Sequence, residues 1–429
     1  MFDIKVLREN PEMVKENIKK KFKNDRLKLV DEALDKDKKW RELKRDVDNL
    51  RAERNRISKE IGDAKKAGKD AKKLLKEAGQ IPDKIDGLEK KMYSLEEEIS
   101  VLLSKIPNLM HSSVAIGKDE NENVSMRKIG KPKEFDFEVK THAEIAESLS
   151  VADFDASART SGNGFYYLQG DLALLNQALI RFVIDKMVSK GFLYVETPLM
   201  LRSAVIQNVT DLNDMKNQIY KIDDEDLYLI GTSEHSLIGR FIDTILSDKN
   251  LPMKFASYSM CFRKEIGSHG IDEKGLFRNH QFNKVEMVVI CRPDESMKFF
   301  EEMQGITVEI FKELGIPIRI LGICSGDLGD LKHIQVDIEA WSPRKKAYFE
   351  VGSCSNLTDC QARKLKIRVD NGKGEKYAPH TLNNTALATS RAMVAILENY
   401  QQKDGSVKVP DVLLPFMHEK KVIGGSGKK

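Results

Sequence analysis

The chain has 429 residues, long enough for two or three domains, and 41% of them are hydrophobic, enough to build a real core. Charged residues reach 32%, which points to one long solvated element, while a net charge of +4 is too small to diagnose a nucleic-acid partner by itself. No apolar run approaches the roughly 20 residues that span a bilayer, the opening MFDIKVLREN lacks the apolar stretch of a signal peptide, and five scattered cysteines form no CxxC pair. Together these predict a cytoplasmic, reducing setting without structural disulfides or a zinc framework.

Apolar residues first recur at Trp40, Leu43, Val47, Leu50, Ile57, Ile61 and Ala64, alternately three and four apart, with Arg54 at the one skipped slot. A second series, Ile81, Ile85, Leu88, Met92, Leu95, Ile99, Leu102 and Ile106, is unbroken. This is the heptad pattern of a coiled coil. The connector GDAKKAGKDAKKLLKEAG carries Gly62, Gly68 and Gly79 as expected breakers. Two such helices joined by a short connector are expected to fold back as an antiparallel hairpin over about 38–106, each hiding the other's stripe. The tip is basic, with Lys65, Lys66, Lys69, Lys72, Lys73 and Lys76, and Arg51, Arg54, Arg56 and Lys59 stand below it. Such a run is commonly a solvated helix face; a basic arm also suits a phosphate backbone.

After Ile106–Pro107–Asn108 the chain turns polar and glycine-bearing up to Pro132 and beyond. The expected organisation is an N-terminal domain at 1–110, a linker at 111–140, a second domain at 141–423 and a flexible tail at 424–429. Within the second domain, HAEIAESL from His142 and the run Leu172–Lys190 read as helices. Short strand-like runs follow at Phe165–Leu168, Phe192–Glu196, Leu227–Ile230, Lys254–Met260, Lys284–Ile290, Ile334–Ala340 and Ala347–Val351. Neither a GxGxxG turn after a strand nor a GxxxxGK[ST] loop is present, so the common glycine cradles for nucleotides are absent from the sequence. Hairpin-like strand pairs with few βαβ units predict an α+β domain built on an antiparallel sheet.

Several segments of this domain carry chemistry. FRKEIG (Phe262–Gly267) and GLFRNHQF (Gly275–Phe282) set Arg263 and Arg278 on either side of a glycine-bearing polar turn, with Glu265 and Phe282 beside them. Arginine forks suit phosphates and an aromatic face suits a base. Glu286, in KVEMV, is a carboxylate on an apolar strand that needs a cationic or hydroxyl partner. Thr232–Ser233–Glu234 opens a helix, where a hydroxyl and a carboxylate read equally as a cap. FEVGSCSN (Phe349–Asn356) places Glu350 near Ser353, and Asp337 and Glu339 alternate on the preceding strand. TLNNTALATSR ends in Arg391 at the head of a helix, and FLYVETP (Phe192–Pro198) follows a long helix.

Taken in chain order, the segments resemble the three motifs of the class II aminoacyl-tRNA synthetases. The wording FRKEIG…GLFRNHQFNKVEM, together with LRAERNRISKEIG in the arm and IPNLMHSSVAIGKDENENV in the linker, is most similar to the seryl-tRNA synthetases. The likeness runs from the arm to Phe416, and NNTALATSR resembles the archaeal and eukaryotic form of motif 3. The resemblance implies a class II antiparallel catalytic domain flanked by helices, with an N-terminal two-helix arm. It implies a serine–tRNA ligase that makes seryl-adenylate from serine and ATP and passes it to tRNA(Ser), with tRNA(Sec) as a second acceptor.

It assigns Thr232, Glu234, Arg263, Glu286, Asn383 and Thr385 to serine, and Arg263, Glu265, Arg278, Phe282, Glu350, Ser353 and Arg391 to ATP. Arg263, Arg278 and Arg391 are then catalytic, and Glu350 with Ser353 holds Mg²⁺. Glu339 is placed to support either the metal or a nearby arginine. Gly352 stands where the family commonly has serine. Pro198 marks the motif that lies at a homodimer interface. Arg51, Arg54, Lys65, Lys66, Lys69, Lys72 and Lys73 become tRNA contacts. Two rivals are weaker. A ligase that loads an amino acid onto a carrier protein lacks such an arm, and a decayed, non-catalytic scaffold would have lost the motif arginines. The zinc-dependent synthetase of methanogens needs a cysteine ligand in a different setting.

Overall fold

The heptad stripe forms two antiparallel helices, α1 (Leu27–Lys66) and α2 (Lys72–Lys105). The computed structural model describes residues 1–210, 218–265 and 275–424. The polar turn expected between Arg263 and Arg278, at 266–274, and the tail residues 425–429 lie outside the described residues. Val47, Ile57, Ile81 and Ile85 form the buried seam of the hairpin, flanked by Leu50, Ile61, Leu74, Ala78, Leu88 and Met92. Arg51 of α1 pairs with Glu89 of α2 at 2.6 Å, and Lys36 pairs with Glu98. Lower residues of one helix thus meet higher residues of the other.

Two details differ from the reading of the sequence: where the first helix starts and which glycine turns the chain. Helix α1 starts at Leu27, because Val30, Ala33 and Asp37 are already buried; Asp37 is gripped by Arg8 at 2.7 Å and by Arg41 at 3.0 Å. Arg54 occupies the skipped slot yet stays exposed, as a charge beside an apolar seam must. Of the three expected breakers only Gly68, at φ +68°, makes the turn. Gly62 and Gly79 lie inside helices. A glycine costs a helix about 1 kcal/mol, and burying Ile61, Leu74 and Ala78 alongside outweighs it.

By internal contacts the chain divides into Met1–Pro107 and Asn108–Lys429. The second unit is built on eight strands: β1 (Val124–Ile129), β2 (Leu193–Tyr194), β3 (Met253–Phe262), β4 (Gln281–Cys291), β5 (Ile318–Gly322), β6 (Ile334–Ser342), β7 (Ala347–Asn356) and β8 (His380–Ala388). Their order is β1-β5-β6-β7-β8-β4-β3-β2. Every neighbouring pair is antiparallel except β2 with β3, which is parallel. Strand β1 forms within the stretch that reads as polar linker. It is an edge strand exposed along almost its whole length, so it carries no core-facing alternation to read.

The helices α3 (Gly170–Ser189), α5 (Ser296–Glu313) and α6 (Thr389–Tyr400) contribute to the larger core. Strand β4 is apolar on both faces. Val285, Met287 and Val289 join that core, whereas Val288 and Ile290 join a smaller one with Leu237, Phe241 and Phe255. Strand periodicity therefore puts Lys284 and Glu286 on the side of the smaller core. The short helix α4 (Ser233–Gly239) packs there too.

Candidate active site

Two β-bulges set the geometry. Along β6 and β7, Asp337 faces Ser353 and Ile338 faces Gly352, but Glu339 faces Glu350, so Val351 is the extra residue. Without it Glu350 would point away from Ser353; the bulge brings both to one face with Asp337. In β8, Thr385 faces Glu286 while Leu387 faces Val285, so Ala386 is the extra residue. This keeps Asn383 and Thr385 on the site face while Leu387 and Ala386 enter the larger core.

The side chains gathered this way line two cavities. A cavity of about 380 Å³ is bounded by Thr232, Glu234, Glu286, Asn383 and Thr385 at one part, and by Asp337 and Ser353 at another. A second, of about 80 Å³, is bounded by Glu265, Phe277, Arg278, Phe282 and Arg391. Arg263, Lys284, Glu350 and Thr385 line both, and so form the common wall.

In the larger cavity, Thr232 caps α4, its hydroxyl accepting from the Glu234 amide at 3.3 Å. Capping and an outward role for Glu234 are therefore compatible. The Glu234 carboxylate accepts from Gln361 Nε2 at 3.0 Å. Burial, aided by the charge of Glu286, pushes it up to about 7. Glu286 has both partner types that its apolar strand demands: Lys284 Nζ at 2.9 Å and the Thr385 hydroxyl, which donates at 3.3 Å. His235 is pushed down to about 3 by burial, with Arg263 and Lys284 adding to it. Its Nδ1 has no hydrogen-bond partner among the described residues.

The smaller cavity holds the guanidinium groups. Arg263 donates from Nε to the Gly231 carbonyl at 3.2 Å and lies over the Phe282 ring, 5.3 Å from its centre. Arg278 is not buried: its side chain is 43% exposed and meets Glu265 at 3.4 Å. Arg391 donates to the Glu350 carbonyl at 2.7 Å and to its carboxylate at 3.0 Å, and it lies over Phe277. Burial works against the Glu350 charge, but Arg391 outweighs it and holds that carboxyl below its usual range. Asp337, in contrast, is pushed up to about 6 by burial and by the Glu350 charge. Glu339 is turned to Arg319, which settles it as an ion-pair residue.

The structure thus brings every residue assigned to serine, ATP or the metal onto these two cavities, and leaves Glu339 outside them. It adds Lys284, His235 and Phe277 to their lining, with Gln361 holding Glu234 from behind, and motif reading passed over all four. Lys284 stands two places before Glu286 and so shares its face, but beside an apolar run it reads from sequence as a surface lysine. In the arm, Arg54, Lys65, Lys66, Lys69, Lys72 and Lys73 are exposed. Arg51 is partly committed to Glu89 and to Asp48, at 3.8 Å.

The N-terminal residues 1–110 match the family model of the seryl-tRNA synthetase N-terminal domain. Residues 219–400 match that of the tRNA synthetase class II core domain (G, H, P, S and T). A serine–tRNA ligase from Methanoregula boonei is 45% identical over 425 residues, covering 99% of this chain and all of its own. Among solved structures, seryl-tRNA synthetase from Pyrococcus horikoshii complexed with ATP superposes with a TM-score of 0.92 at 42% identity, each chain covered to 99%. The cytoplasmic serine–tRNA ligase from Naegleria fowleri in complex with AMP gives 0.89 at 31% identity, with 100% of this chain and 99% of that one covered.

Proposed function

Because the chain belongs to the seryl-tRNA synthetase family, we propose that its two cavities divide the substrates of a serine–tRNA ligase, with the reaction at their common wall. The ligase activity itself follows from membership: serine is activated with ATP to seryl-adenylate and transferred to tRNA. In our reading Glu234 and Thr232 receive the serine ammonium, and Glu286, Thr385 and Asn383 receive its hydroxyl. Phe282 and Glu265 receive the adenine, and Arg278 and Arg391 the outer phosphates. Arg263, on both cavities, neutralises the α-phosphate and the serine carboxylate.

The observation that carries this reading is the Thr385–Glu286 hydrogen bond, set beside Glu234 on the same cavity. A serine hydroxyl can enter that bond, whereas alanine would leave buried polar groups unpaired, which a polar site penalises strongly. The serine carboxylate attacks the α-phosphorus, and pyrophosphate leaves. The terminal ribose hydroxyl of the tRNA then attacks the activated carbonyl, and AMP leaves. The chain contributes position and charge neutralisation; no general base is assigned.

Magnesium fits the donor set Glu350, Ser353 and Asp337. The Glu350 charge pushes up the carboxyl of neighbouring Asp337, which a cation between them would relieve, and a hydroxyl with one or two carboxylates is a common magnesium arrangement beside phosphates. When bound, the ion supplies charge neutralisation for the triphosphate.

Three further parts complete the proposal. The exposed lysines of the arm grip tRNA(Ser), and tRNA(Sec) is a second acceptor. The segment around Pro198 is a homodimer contact, for which the exposed Val188, Leu193 and Met200, at 55%, 62% and 45%, supply an apolar surface. The working compartment is the cytoplasm. No helix among the described residues is long and apolar enough to cross a membrane.

ATP–pyrophosphate exchange with each amino acid in turn, without tRNA, tests the site. Exchange with serine alone is expected. Exchange with another amino acid would overturn the assignment at Glu286 and Thr385, and its absence with all of them would overturn the enzymatic reading of the cavities.

A further inference from the structure

Lys284, the first residue of KVEMV, has no role in the assignments above, yet it stands on the wall shared by both cavities with its side chain only 8% exposed. A buried ammonium needs acceptors for its three N–H groups. Among the described residues its ion-pair partner is Glu286, at 2.9 Å. That carboxylate oxygen is shared with the Thr385 hydroxyl. The residues facing Lys284 across the ladder, Ser259 and Ala388, bring no charge. Arg263 adds a second cation to the same wall and spends its Nε on a carbonyl, that of Gly231. The wall's own carboxylate, Glu350, is engaged by Arg391, so Lys284 and Arg263 together bring more donors than Glu286 uses.

We propose that Lys284 is a catalytic residue of adenylate formation, its ammonium binding the oxygens where the serine carboxylate meets the α-phosphate. This rests on the two-cavity reading. In the step, a serine carboxylate oxygen bonds to the α-phosphorus, and the bond from that phosphorus to the bridging oxygen breaks. Pyrophosphate leaves with the electron pair. No proton moves, so Lys284 remains an ammonium and stabilises the charge gathering on the phosphoryl oxygens. A fixed donor of this kind is worth roughly 100-fold or more in rate.

The alternative is that Lys284 only neutralises Glu286. Serine-dependent ATP–pyrophosphate exchange on wild type, K284M, K284R, E286Q and the E286Q/K284M double variant separates the two. K284M is expected to lose about 100-fold in maximal rate, with far smaller changes in the KM for serine and ATP, and K284R to recover part of it. The Lys284→Met change should cost a similar factor in the E286Q background, where the carboxylate paired with Lys284 is gone. Wild-type exchange by K284M, or no further loss in the double variant, would overturn the proposal and leave the cavity assignment standing. A wild-type protein without serine-dependent exchange would instead overturn the cavity reading. If K284M fails to fold, the double variant buries no uncompensated charge and its comparison with E286Q decides.

Discussion

At Glu234 binding and stability pull in opposite directions. Burial first, and then the Glu286 charge, raise its carboxyl from 4.5 to about 7, against the hydrogen bond from Gln361 and the more distant Lys284 and Lys332. A serine ammonium needs the ionised form. Serine kcat/KM in the exchange assay is therefore expected to fall as pH drops through about 7, while kcat, which reports the serine complex, falls at lower pH. A flat profile from pH 5 to 8 would contradict the ammonium role. The folded chain keeps a proton here that the unfolded chain releases, so this residue's contribution to stability falls as pH rises from 4.5 to about 7. Glu234→Gln should thus raise the melting temperature above neutral pH, by the equivalent of up to about 3 kcal/mol, while removing serine activation. Arg263→Ala should abolish exchange, since it takes a cation from the wall common to both cavities; a wild-type rate would remove it from the chemistry. Most of these side chains were legible because their chemistry is odd for their place, as with a carboxylate on an apolar strand. Lys284 was not, because a lysine next to an apolar run reads as surface until its strand is known to be buried on both faces.

The elements themselves were legible where a period held for many residues. The arm's heptads are such a case, and they stand in the structure. The bulges at Val351 and Ala386 were not legible, since one inserted residue reverses which face the rest of a strand presents without leaving a mark in composition. Gly62 and Gly79 misled for the complementary reason, as tertiary burial overrode a local preference. A return segment into the smaller cavity shows how closely an element is fixed. Gly275 has φ +118°, and a Cβ there would lie 2.3 Å from His142 Nε2. That nitrogen accepts from the Leu276 amide at 3.0 Å, directly before Phe277 and Arg278. Gly275→Ala is expected to cost about 1–3 kcal/mol of stability and to raise the KM for ATP more than that for serine. Calorimetric unfolding and the exchange assay check this; equal shifts in both KM values would refute a local effect on the smaller cavity.

At the scale of the whole molecule, two contact units divide the work. All the residues assigned to serine and ATP lie in Asn108–Lys429, whereas the exposed lysines of the hairpin tip lie in Met1–Pro107. Activation should accordingly be indifferent to the arm and charging should depend on it. Replacing residues 45–91 by a short glycine turn keeps the buried Val30, Ala33 and Asp37 and the Lys36–Glu98 pair at the base. In that variant ATP–pyrophosphate exchange should stay within about twofold, because no distant residue supplies the cavities, whereas serine transfer to tRNA should fall by at least two orders of magnitude. Salt separates the steps in the intact protein as well. Each phosphate neutralised contributes a slope of roughly −0.7 to −0.9 in log affinity against log salt. Replacing Lys65, Lys66, Lys69, Lys72 and Lys73 by glutamine should therefore flatten the salt dependence of the KM for tRNA without altering exchange. RNA helices are read largely through shape and backbone, so single replacements should each do little and the full set much. A charging rate unchanged by loss of the hairpin would mean that its basic tip is only a solvated helix end.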